Sequence, residues 1–330
     1  MKIKSRKLEH LSICIEKDVE AGNTGFDRVQ LIHKALPEID FDKIDMSINF
    51  LGKKLEYPII IEGMTGGVTG TEKINKDIAQ VAEEFGIGFG IGSQRAAIED
   101  SDVEYTYKVR DVAPSILLIA NLGAVQLNYG YGIKECNLAI KMIDADALAL
   151  HLNPLQEVIQ PEGNKNFSNL AKKINFIKKN LKKPLIVKCD GSGISYEIAK
   201  KLKVDAIDVS GTGGTSWSLV ESFRGDGNNR KCGKIFADWG ISTVDSIKEI
   251  SKLNVKIIGS GGIRTGIDTA KSIALGADCV GIALPILRSW AKNGKNGVRE
   301  YIEQLVMELK IAMFLTGSKT VKELRGKIRG

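Results

Sequence analysis

The chain has 330 residues, of which 26% are charged and 43% are hydrophobic, a composition typical of a folded globular protein and not of a disordered one. Its 47 Lys and Arg residues outnumber 40 Asp and Glu residues, and the formal net charge of +7 permits anionic ligands without identifying one. No apolar run has the length that crosses a bilayer, and five scattered cysteines are typical of reduced thiols. These features predict a cytoplasmic protein that does not bind membranes.

Short apolar runs, each followed by a helical pattern, predict eight strand–helix units. In chain order the predicted strands are Ile59–Ile61, Ile87–Ile91, Ile116–Ala120, Ala147–Leu150, Leu185–Val187, Ala206–Val209, Lys256–Ile258 and Cys279–Ala283. The helical period is clearest in Thr71–Phe85, Asn166–Asn180 and Thr265–Leu275. Eight such units predict an α/β fold, the (β/α)8 TIM barrel, with active-site groups at the carboxyl ends of the strands. A doubly wound sheet is the weaker alternative, because no G-x-G-x-x-G motif follows the first strand.

Three segments lie outside this repeat. Residues 1–55 form an N-terminal extension that could cap the barrel mouth, and residues 291–330 form a C-terminal helical segment, leaving 56–290 as the barrel core of a single domain over 1–330. Residues 211–240 are rich in glycine and predict a long loop after the sixth strand, where lids are common. The lysine-rich residues 172–183 predict the solvated face of an amphipathic helix, so no nucleic-acid partner is expected.

Polar side chains follow the first four predicted strands. The first three strands are followed by Met64-Thr-Gly-Gly67, Ser93-Gln-Arg95 and Asn121. The fourth strand is followed by His151-Leu-Asn-Pro-Leu-Gln-Glu157, which brings an imidazole, carboxamides and a carboxylate together in one short run. In a parallel barrel this run would lie where chemistry is done, although its spacing alone equally suits a polar turn.

The other four strand ends predict a phosphate site. Glycine-rich residues 259–264 follow the seventh strand and Ala283-Leu284 follows the eighth, so backbone N–H groups there can approach a phosphate closely. Tight turns are the alternative explanation for these glycines. Ser210 to Thr215 adds hydroxyls after the sixth strand, and Lys188 ends the fifth. A phosphate site on one side of the mouth and neutral polar groups on the other suit a flat, nucleotide-like cofactor such as FMN.

Together these motifs resemble the type 2 isopentenyl-diphosphate Δ-isomerases, a family of FMN-dependent enzymes. The likeness runs in the same order from residue 6 to about residue 285. It is carried by Arg6-Lys7 with His10, Met64-Thr-Gly-Gly67, Ser93-Gln-Arg95, Asn121-Leu-Gly-Ala124, the run from His151 to Glu157, Ser210-Gly-Thr-Gly-Gly-Thr-Ser-Trp217, Phe236-Ala-Asp-Trp-Gly240 and Gly261-Gly-Ile-Arg264. One departure follows the fifth strand, where Lys188-Cys189-Asp190 stands in place of the expected Lys-Glu.

The resemblance implies a cofactor, a substrate and a set of site residues. The implied FMN-binding residues are Met64, Thr65, Gly66, Gly67, Ser93, Asn121, Lys188, Ser210, Thr215, Gly262, Ile263, Arg264, Ala283 and Leu284. The implied substrate-binding residues are Arg6, Lys7, His10, Ser93, Gln94, Arg95, Asn153 and Gln156. Glu157 is implied to coordinate Mg²⁺, a hard cation that pairs naturally with a diphosphate.

The implied reaction is a 1,3-proton shift in isoprenoid biosynthesis that interconverts isopentenyl diphosphate and dimethylallyl diphosphate. The resemblance further implies FMN that is active when reduced, NADPH as the reductant and a homo-oligomer, a tetramer or an octamer. Gln156 and His151 are the candidate catalytic residues. Because Gln156 is a poor acid and base and Glu157 is occupied if it holds the metal, elimination leaves the reduced flavin as the best proton donor and acceptor.

Two other functions stay open on the sequence alone. A 2-hydroxy-acid oxidase shares the FMN site but needs a histidine base late in the chain, and His10, His33 and His151 all precede the fifth strand. A non-catalytic flavin- or phosphate-binding module would not need the polar run from His151 to Glu157.

Overall fold

The structure, a computed structural model, describes residues 2–329, with side chains from residue 6 onward. Its strands, in chain order, are β1 (Gln30–Leu31), β2 (Ile48–Phe50), β3 (Lys53–Leu55), β4 (Ile59–Ile61), β5 (Gly88–Gly90), β6 (Leu118–Gly123), β7 (Ala147–Leu152), β8 (Leu185–Cys189), β9 (Ala206–Asp208), β10 (Lys256–Ser260), β11 (Cys279–Ile282) and β12 (Ile328–Arg329). Within this part of the chain β4 to β11 are parallel neighbours in sequence order, and β11 pairs with β4 to close the barrel. The predicted (β/α)8 barrel is therefore confirmed.

Helices alternate with these strands and surround the barrel. They are α1 (Lys2–Glu16), α2 (Thr71–Phe85), α3 (Arg95–Glu99), α4 (Ile133–Ile143), α5 (Pro154–Ile159), α6 (Leu170–Asn180), α7 (Tyr196–Lys201), α8 (Trp217–Arg224), α9 (Gly227–Ile235), α10 (Thr243–Ile250), α11 (Gly266–Leu275), α12 (Leu284–Leu315) and α13 (Val321–Leu324). In α2 the buried residues Ile74, Ile78 and Val81 recur at helical spacing and so face the barrel. Among the described residues no helix is both long and apolar enough to cross a membrane.

The N-terminal extension covers both ends of the barrel and not only its mouth. Phe50 and Leu55 of the β2–β3 hairpin are fully buried and pack against inward-facing residues such as Ile60 and Ile186 at the amino end. The two hairpin residues Leu51 and Gly52 have φ of 48° and 85°, as a tight hairpin turn requires. Helix α1 packs against α8 and α12 at the opposite end, where the strands finish.

The long loop predicted over residues 211–240 is wrong, because most of this segment is helical. Ser216 begins α8 by accepting a hydrogen bond from the Leu219 N–H, and α9 packs directly on α8. Gly233 permits this contact, since a Cβ there would lie 2.6 Å from the Ser218 carbonyl oxygen. One of the glycines that suggested a loop, Gly233, instead lets two helices pack closely.

The C-terminal segment is tied to the extension. Helix α12 is interrupted at Asn293 and Gly294, and its second half packs with α11 and α13. The last strand, β12, pairs antiparallel with β1. The carboxyl end of the described chain is therefore joined to the N-terminal extension.

Candidate active site

A cavity of about 260 Å³ opens at the carboxyl ends of the strands and is closed on one side by α1. Predicted site residues that line it are Arg6, Lys7, His10, Met64, Thr65, Ser93, Arg95, Asn121, His151, Asn153, Gln156, Glu157, Lys188, Ser210, Thr215, Gly262, Ile263, Arg264, Ala283 and Leu284. Gly66, Gly67 and Gln94 are not among the lining residues. The barrel thus brings most of the predicted set, spread over nearly three hundred positions, to one place.

One wall of the cavity is made by glycine-rich backbone after β9 and β10. Gly261 and Gly262 have φ of 98° and 70°, and a Cβ on Gly214 would lie 2.5 Å from the Gly262 nitrogen. Only glycine allows these two loops to pack so closely. The Arg264 side chain is already bonded to Glu20, with 2.9 Å between Nε and Oε1. A ligand at this wall would therefore meet mainly backbone groups and little unpaired side-chain charge.

The opposite wall carries neutral polar groups after β4 and β6. Thr65 has a buried Oγ1 atom without a hydrogen-bond partner among the described residues. The glycines Gly66 and Gly67 lie behind this wall against the ring of Tyr107, which explains why they do not reach the cavity. Asn121 places its Oδ1 atom 2.8 Å from Nδ1 of His151.

Gln94 does not present its side chain to the cavity. It is fully buried, its amide nitrogen donates to the Ala139 carbonyl at 2.9 Å, and its oxygen accepts from the Asn121 N–H at 3.0 Å. The side chain therefore anchors β6 to α4. The neighbouring Arg95 does face the cavity, while bonding Glu99 and Asn164.

The cavity floor holds a buried charge cluster around Lys188. Its Nζ atom is bonded to Glu62 and lies 3.6 Å from Oδ2 of Asp208. Burial alone would lower the pKa of Lys188, but Glu62 and Asp208 outweigh it and raise the pKa. Glu62 was missed by sequence reasoning, although a charged residue directly after the apolar run Ile59–Ile61 was a usable signal.

His151 is a neutral hydrogen-bond acceptor in this site. Burial, together with Lys188 and Lys7, lowers its pKa to about 3. Because the Asn121 amide oxygen can only accept, Nδ1 of His151 carries the ring proton and Nε2 has the free lone pair. This histidine can accept a hydrogen bond at Nε2, but its lowered pKa makes it a poor proton acceptor, and it carries no proton there to donate at neutral pH.

Gln156 and Glu157 are fixed by neighbouring polar groups at the start of α5. Asn153 donates to Oε1 of Gln156 at 3.1 Å and to Oε1 of Glu157 at 2.9 Å. Glu157 is 8% exposed and also accepts from the backbone N–H of Asn164. Among the described residues no cluster of three or more His, Cys, Asp or Glu side chains could hold a metal. A cation at Glu157 would therefore need oxygen ligands of other kinds, such as amide or backbone carbonyl oxygens, substrate oxygens and water.

A buried carboxylate, Glu221 of α8, organises the side of the cavity facing α1. It is fully buried and accepts from Gln156 at 3.1 Å, while Nε2 of His10 lies 2.8 Å away. Burial would raise its pKa, but the His10 and Arg224 interactions outweigh this and lower it. Glu221 was also missed, because it lies inside the segment predicted to be a loop.

Lys7 is a half-buried lysine without a carboxylate partner among the described residues. Its Nζ atom donates to the Ser93 carbonyl at 2.9 Å, to the Tyr107 hydroxyl at 2.6 Å and to the Gly66 carbonyl. Burial, with a smaller contribution from Arg6, lowers its pKa to about 7. A bound anion would restore the charged form, because it supplies the missing counter-charge.

Several relatives of this chain carry the same name. It is 49% identical to the isopentenyl-diphosphate delta-isomerase of Pyrococcus furiosus, over 97% of this chain and 84% of that protein. It is 47% identical to the isopentenyl-diphosphate delta-isomerase of Synechocystis sp., over 97% of this chain and 93% of that protein. The chain belongs to the isopentenyl-diphosphate delta-isomerase family.

Two further comparisons fit this membership. Residues 138–329 match the family described as FMN-dependent dehydrogenase, which supports the FMN-dependent, type 2 branch of the isopentenyl-diphosphate delta-isomerases. A flavocytochrome b2 variant with benzoylformate aligns over 97% of this chain and 82% of that chain, with a TM-score of 0.70 and 18% identity. An identity this low shows the shared barrel alone.

Proposed function

We propose that this protein interconverts isopentenyl diphosphate and dimethylallyl diphosphate by a 1,3-proton shift that depends on reduced FMN. One observation carries the proposal. A single cavity joins a glycine-lined wall suited to a phosphate with a second set of cationic and amide groups under α1. Such a pair of sites suits a flavin nucleotide and a small diphosphate lying side by side.

The residues present fit FMN. The wall around Gly261 and Gly262 gives a phosphate access to backbone N–H groups, and Ser210 and Thr215 add hydroxyls beside it. Thr65 offers a buried oxygen for which the described residues supply no hydrogen-bond partner. When bound and reduced, FMN supplies a proton donor and acceptor of the kind that this alkene chemistry needs.

The diphosphate is assigned to the side of the cavity under α1. The basic residues that line this side are Arg6, Lys7 and Arg95, which suit a polyanion. Glu157 is the proposed protein ligand of a Mg²⁺ ion, and the diphosphate would supply further oxygen ligands to that ion. Mg²⁺ commonly takes only one or two protein carboxylates when phosphate oxygens are available. A single carboxylate, that of Glu157, is compatible with this coordination.

The protein's own residues bind, orient and shield the reacting alkene. Gln156 is held from two sides by Asn153 and Glu221, so its amide has one orientation in the cavity. His151 stays neutral and offers Nε2 as an acceptor. Helix α1 covers the mouth, which excludes water from a carbocation-like state.

We extend the proposal to four properties. The protein is a single domain with 56–290 as its barrel core, and it works in the cytoplasm with NADPH as the reductant of FMN. NADPH is needed only to activate the flavin, because the isomerisation has no net redox change.

A tetramer or octamer is proposed as the assembly. The exposed side chains of Ile235 and Trp239, 72% and 64% accessible beside α9, offer apolar surface for contacts between copies.

An anaerobic isomerase assay tests the function. The protein is supplied with Mg²⁺ and with no flavin, oxidised FMN or reduced FMN, and dimethylallyl diphosphate is measured together with NADPH. We expect turnover only with reduced FMN, with far less NADPH consumed than product formed. Full turnover without flavin would contradict the proposal. Oxidation of 2-hydroxy acids without isomerase activity would favour the oxidase alternative instead.

A further inference from the structure

Buried polar atoms without a partner mark places where a ligand is expected. The described residues contain four such side-chain atoms: Thr65 Oγ1, Tyr131 OH, Asn153 Oδ1 and Asp190 Oδ2. All but Tyr131 line the main cavity. Thr65 is already assigned to FMN binding and Asn153 to substrate binding. At both residues, therefore, a buried atom without a hydrogen-bond partner occurs where a ligand is expected. Asp190 also has a buried, unpartnered atom and lines the cavity, but it has no assigned role.

Asp190 lies where residues assigned to FMN meet residues assigned to the substrate, such as Gln156. It directly follows β8, which ends with Lys188-Cys189. The next residue, Gly191, donates from its N–H to the Ser210 carbonyl at 3.1 Å. A Cβ on Gly191 would lie 2.5 Å from the Thr215 carbonyl oxygen. Asp190 is therefore held beside three residues assigned to FMN: Lys188, Ser210 and Thr215.

We propose that Asp190 is a further FMN-binding residue, and that its buried Oδ2 atom takes its hydrogen-bond partner from the bound flavin. This inference rests on the proposed function, because it requires FMN in the main cavity. A flavin ring has carbonyl oxygens and ring nitrogens along its polar edge, which can pair with a carboxylic acid. No such partner comes from the described residues.

The carboxyl group acts as a donor in this contact. Burial raises the pKa of Asp190 to about 8, with Glu157 adding to the rise and Lys188 opposing it. At neutral pH the group is therefore mostly protonated and can donate from Oδ2. Above that pKa it becomes a carboxylate, which places a negative charge against any acceptor atom. FMN binding then weakens as the pH rises, because the bound form favours the protonated acid.

FMN titration of the apoprotein tests the inference without using activity. Binding is followed by quenching of flavin fluorescence at about pH 6.5 and about pH 9.5, on either side of the raised pKa. The proteins are the wild type, Asp190→Asn, Asp190→Val and Tyr131→Phe. Asp190→Asn keeps a neutral donor, and Asp190→Val removes the polar group. Tyr131→Phe is the matched control, because it deletes a buried unpartnered atom that does not line the cavity.

At the lower pH we expect Asp190→Val to weaken FMN binding by about tenfold, the loss of one buried hydrogen bond. Asp190→Asn should stay within about threefold of the wild type, and Tyr131→Phe should not change the dissociation constant. At the higher pH the wild type should weaken about tenfold more than Asp190→Asn. Ionisation of FMN itself cancels in that comparison, since both proteins bind the same ligand.

Each contrary result has a separate meaning. Equal FMN affinities in all four proteins at both pH values would overturn the inference, and an ordered water would then be the partner of Asp190. An unchanged FMN affinity with a raised KM for isopentenyl diphosphate would assign Asp190 to the substrate and also overturn it. Failure of the wild type to bind FMN would instead defeat the proposed function. Thermal unfolding of each apoprotein identifies a variant that does not fold.

Discussion

Charge states in the cavity are set by burial and by a few close neighbours. Lys188 is held as a cation by Glu62 and Asp208, whereas Lys7 has no such carboxylate, and its pKa falls to about 7. These two lysines both disfavour a proton on His151. The site therefore combines three groups: Lys188, which is held in its charged form; Lys7, whose charged form a bound anion would stabilise; and the neutral imidazole of His151.

His151 should remain neutral across the working pH range. We expect its ring signals in nuclear magnetic resonance to stay constant between about pH 5 and about pH 8, because its pKa is lowered to about 3. The unfolded chain binds this proton below about pH 6.5, so the contribution of His151 to stability is lost as pH falls from there toward 3. The acid-unfolded protein is the control. A His151 signal that titrates near pH 6.5 in the folded protein would contradict the assignment.

Glu157→Gln should remove the Mg²⁺ response while leaving FMN bound. The substitution keeps the size and the hydrogen bond from Asn153 but deletes the charge that a hard cation needs. We expect isomerase activity to fall by at least about a hundredfold, comparable to the loss of a charged contact in a reaction site. FMN affinity should not change. Glu104→Gln, whose side chain pairs with Lys108 outside the cavity, is the matched control. Activity that survives chelation of divalent ions would refute the metal assignment.

The sequence identified side chains that belong to recognisable motifs but missed Glu221 on α8 and Glu62 at the cavity floor. Ser210 and His151 follow apolar strands, so the barrel pattern alone locates them. Glu221 could not be found this way, because it lies on α8 and reaches the site only when that helix packs beside α5. Gln94 shows the opposite error. It lies within a strand-end motif, but its backbone orientation turns the side chain into the core.

Helix α1 is the element that converts an open barrel mouth into a closed site. Its residues Arg6, Lys7 and His10 share one face toward the cavity, at the three- and four-residue spacing of a helix. The sequence predicted that the N-terminal extension could cover the mouth, because its basic residues match a known motif. The sequence did not predict the β2–β3 hairpin at the other end of the barrel. Two apolar residues such as Phe50 and Leu55 do not indicate, by sequence alone, which surface they pack against.

Arg6→Ala should weaken substrate binding without affecting the flavin. Arg6 lies 3.7 Å from Glu162 and lines the cavity, so its charge is available to a diphosphate. One charge-assisted contact is worth about 1.5–3 kcal/mol, so the KM for isopentenyl diphosphate should rise by roughly 10- to 100-fold. Lys17→Ala, an exposed lysine just after the same helix, is the control and should leave KM unchanged. Removal of residues 1–8 with unchanged kinetics would show that this part of α1 does not reach the substrate.

Segments of the same chain cover both ends of the barrel and part of its outside. The β2–β3 hairpin fills the amino end, α1 covers the carboxyl end, and β12 pairs with β1 on the outside. The eight-strand core was predictable because parallel strands are buried on both faces and appear as continuous apolar runs. The covering segments were not, because their positions depend on contacts between residues distant in sequence, such as Gln30 with Arg329.

These connections predict that the apoprotein unfolds as one unit and that FMN stabilises it. Thermal unfolding followed by circular dichroism and by tryptophan fluorescence should give the same midpoint, because Trp217 on α8 and Trp290 on α12 report on two different helices of one cooperative unit. FMN at about a hundred times its dissociation constant adds about 2.7 kcal/mol to the free energy of unfolding, a rise of about 3–5 °C. Riboflavin at the same concentration should give a smaller rise, because it lacks the phosphate that the wall at Gly261 and Gly262 is proposed to hold. Two separate transitions would show that the extension folds independently of the barrel, and equal shifts with both flavins would show that this wall does not bind the phosphate.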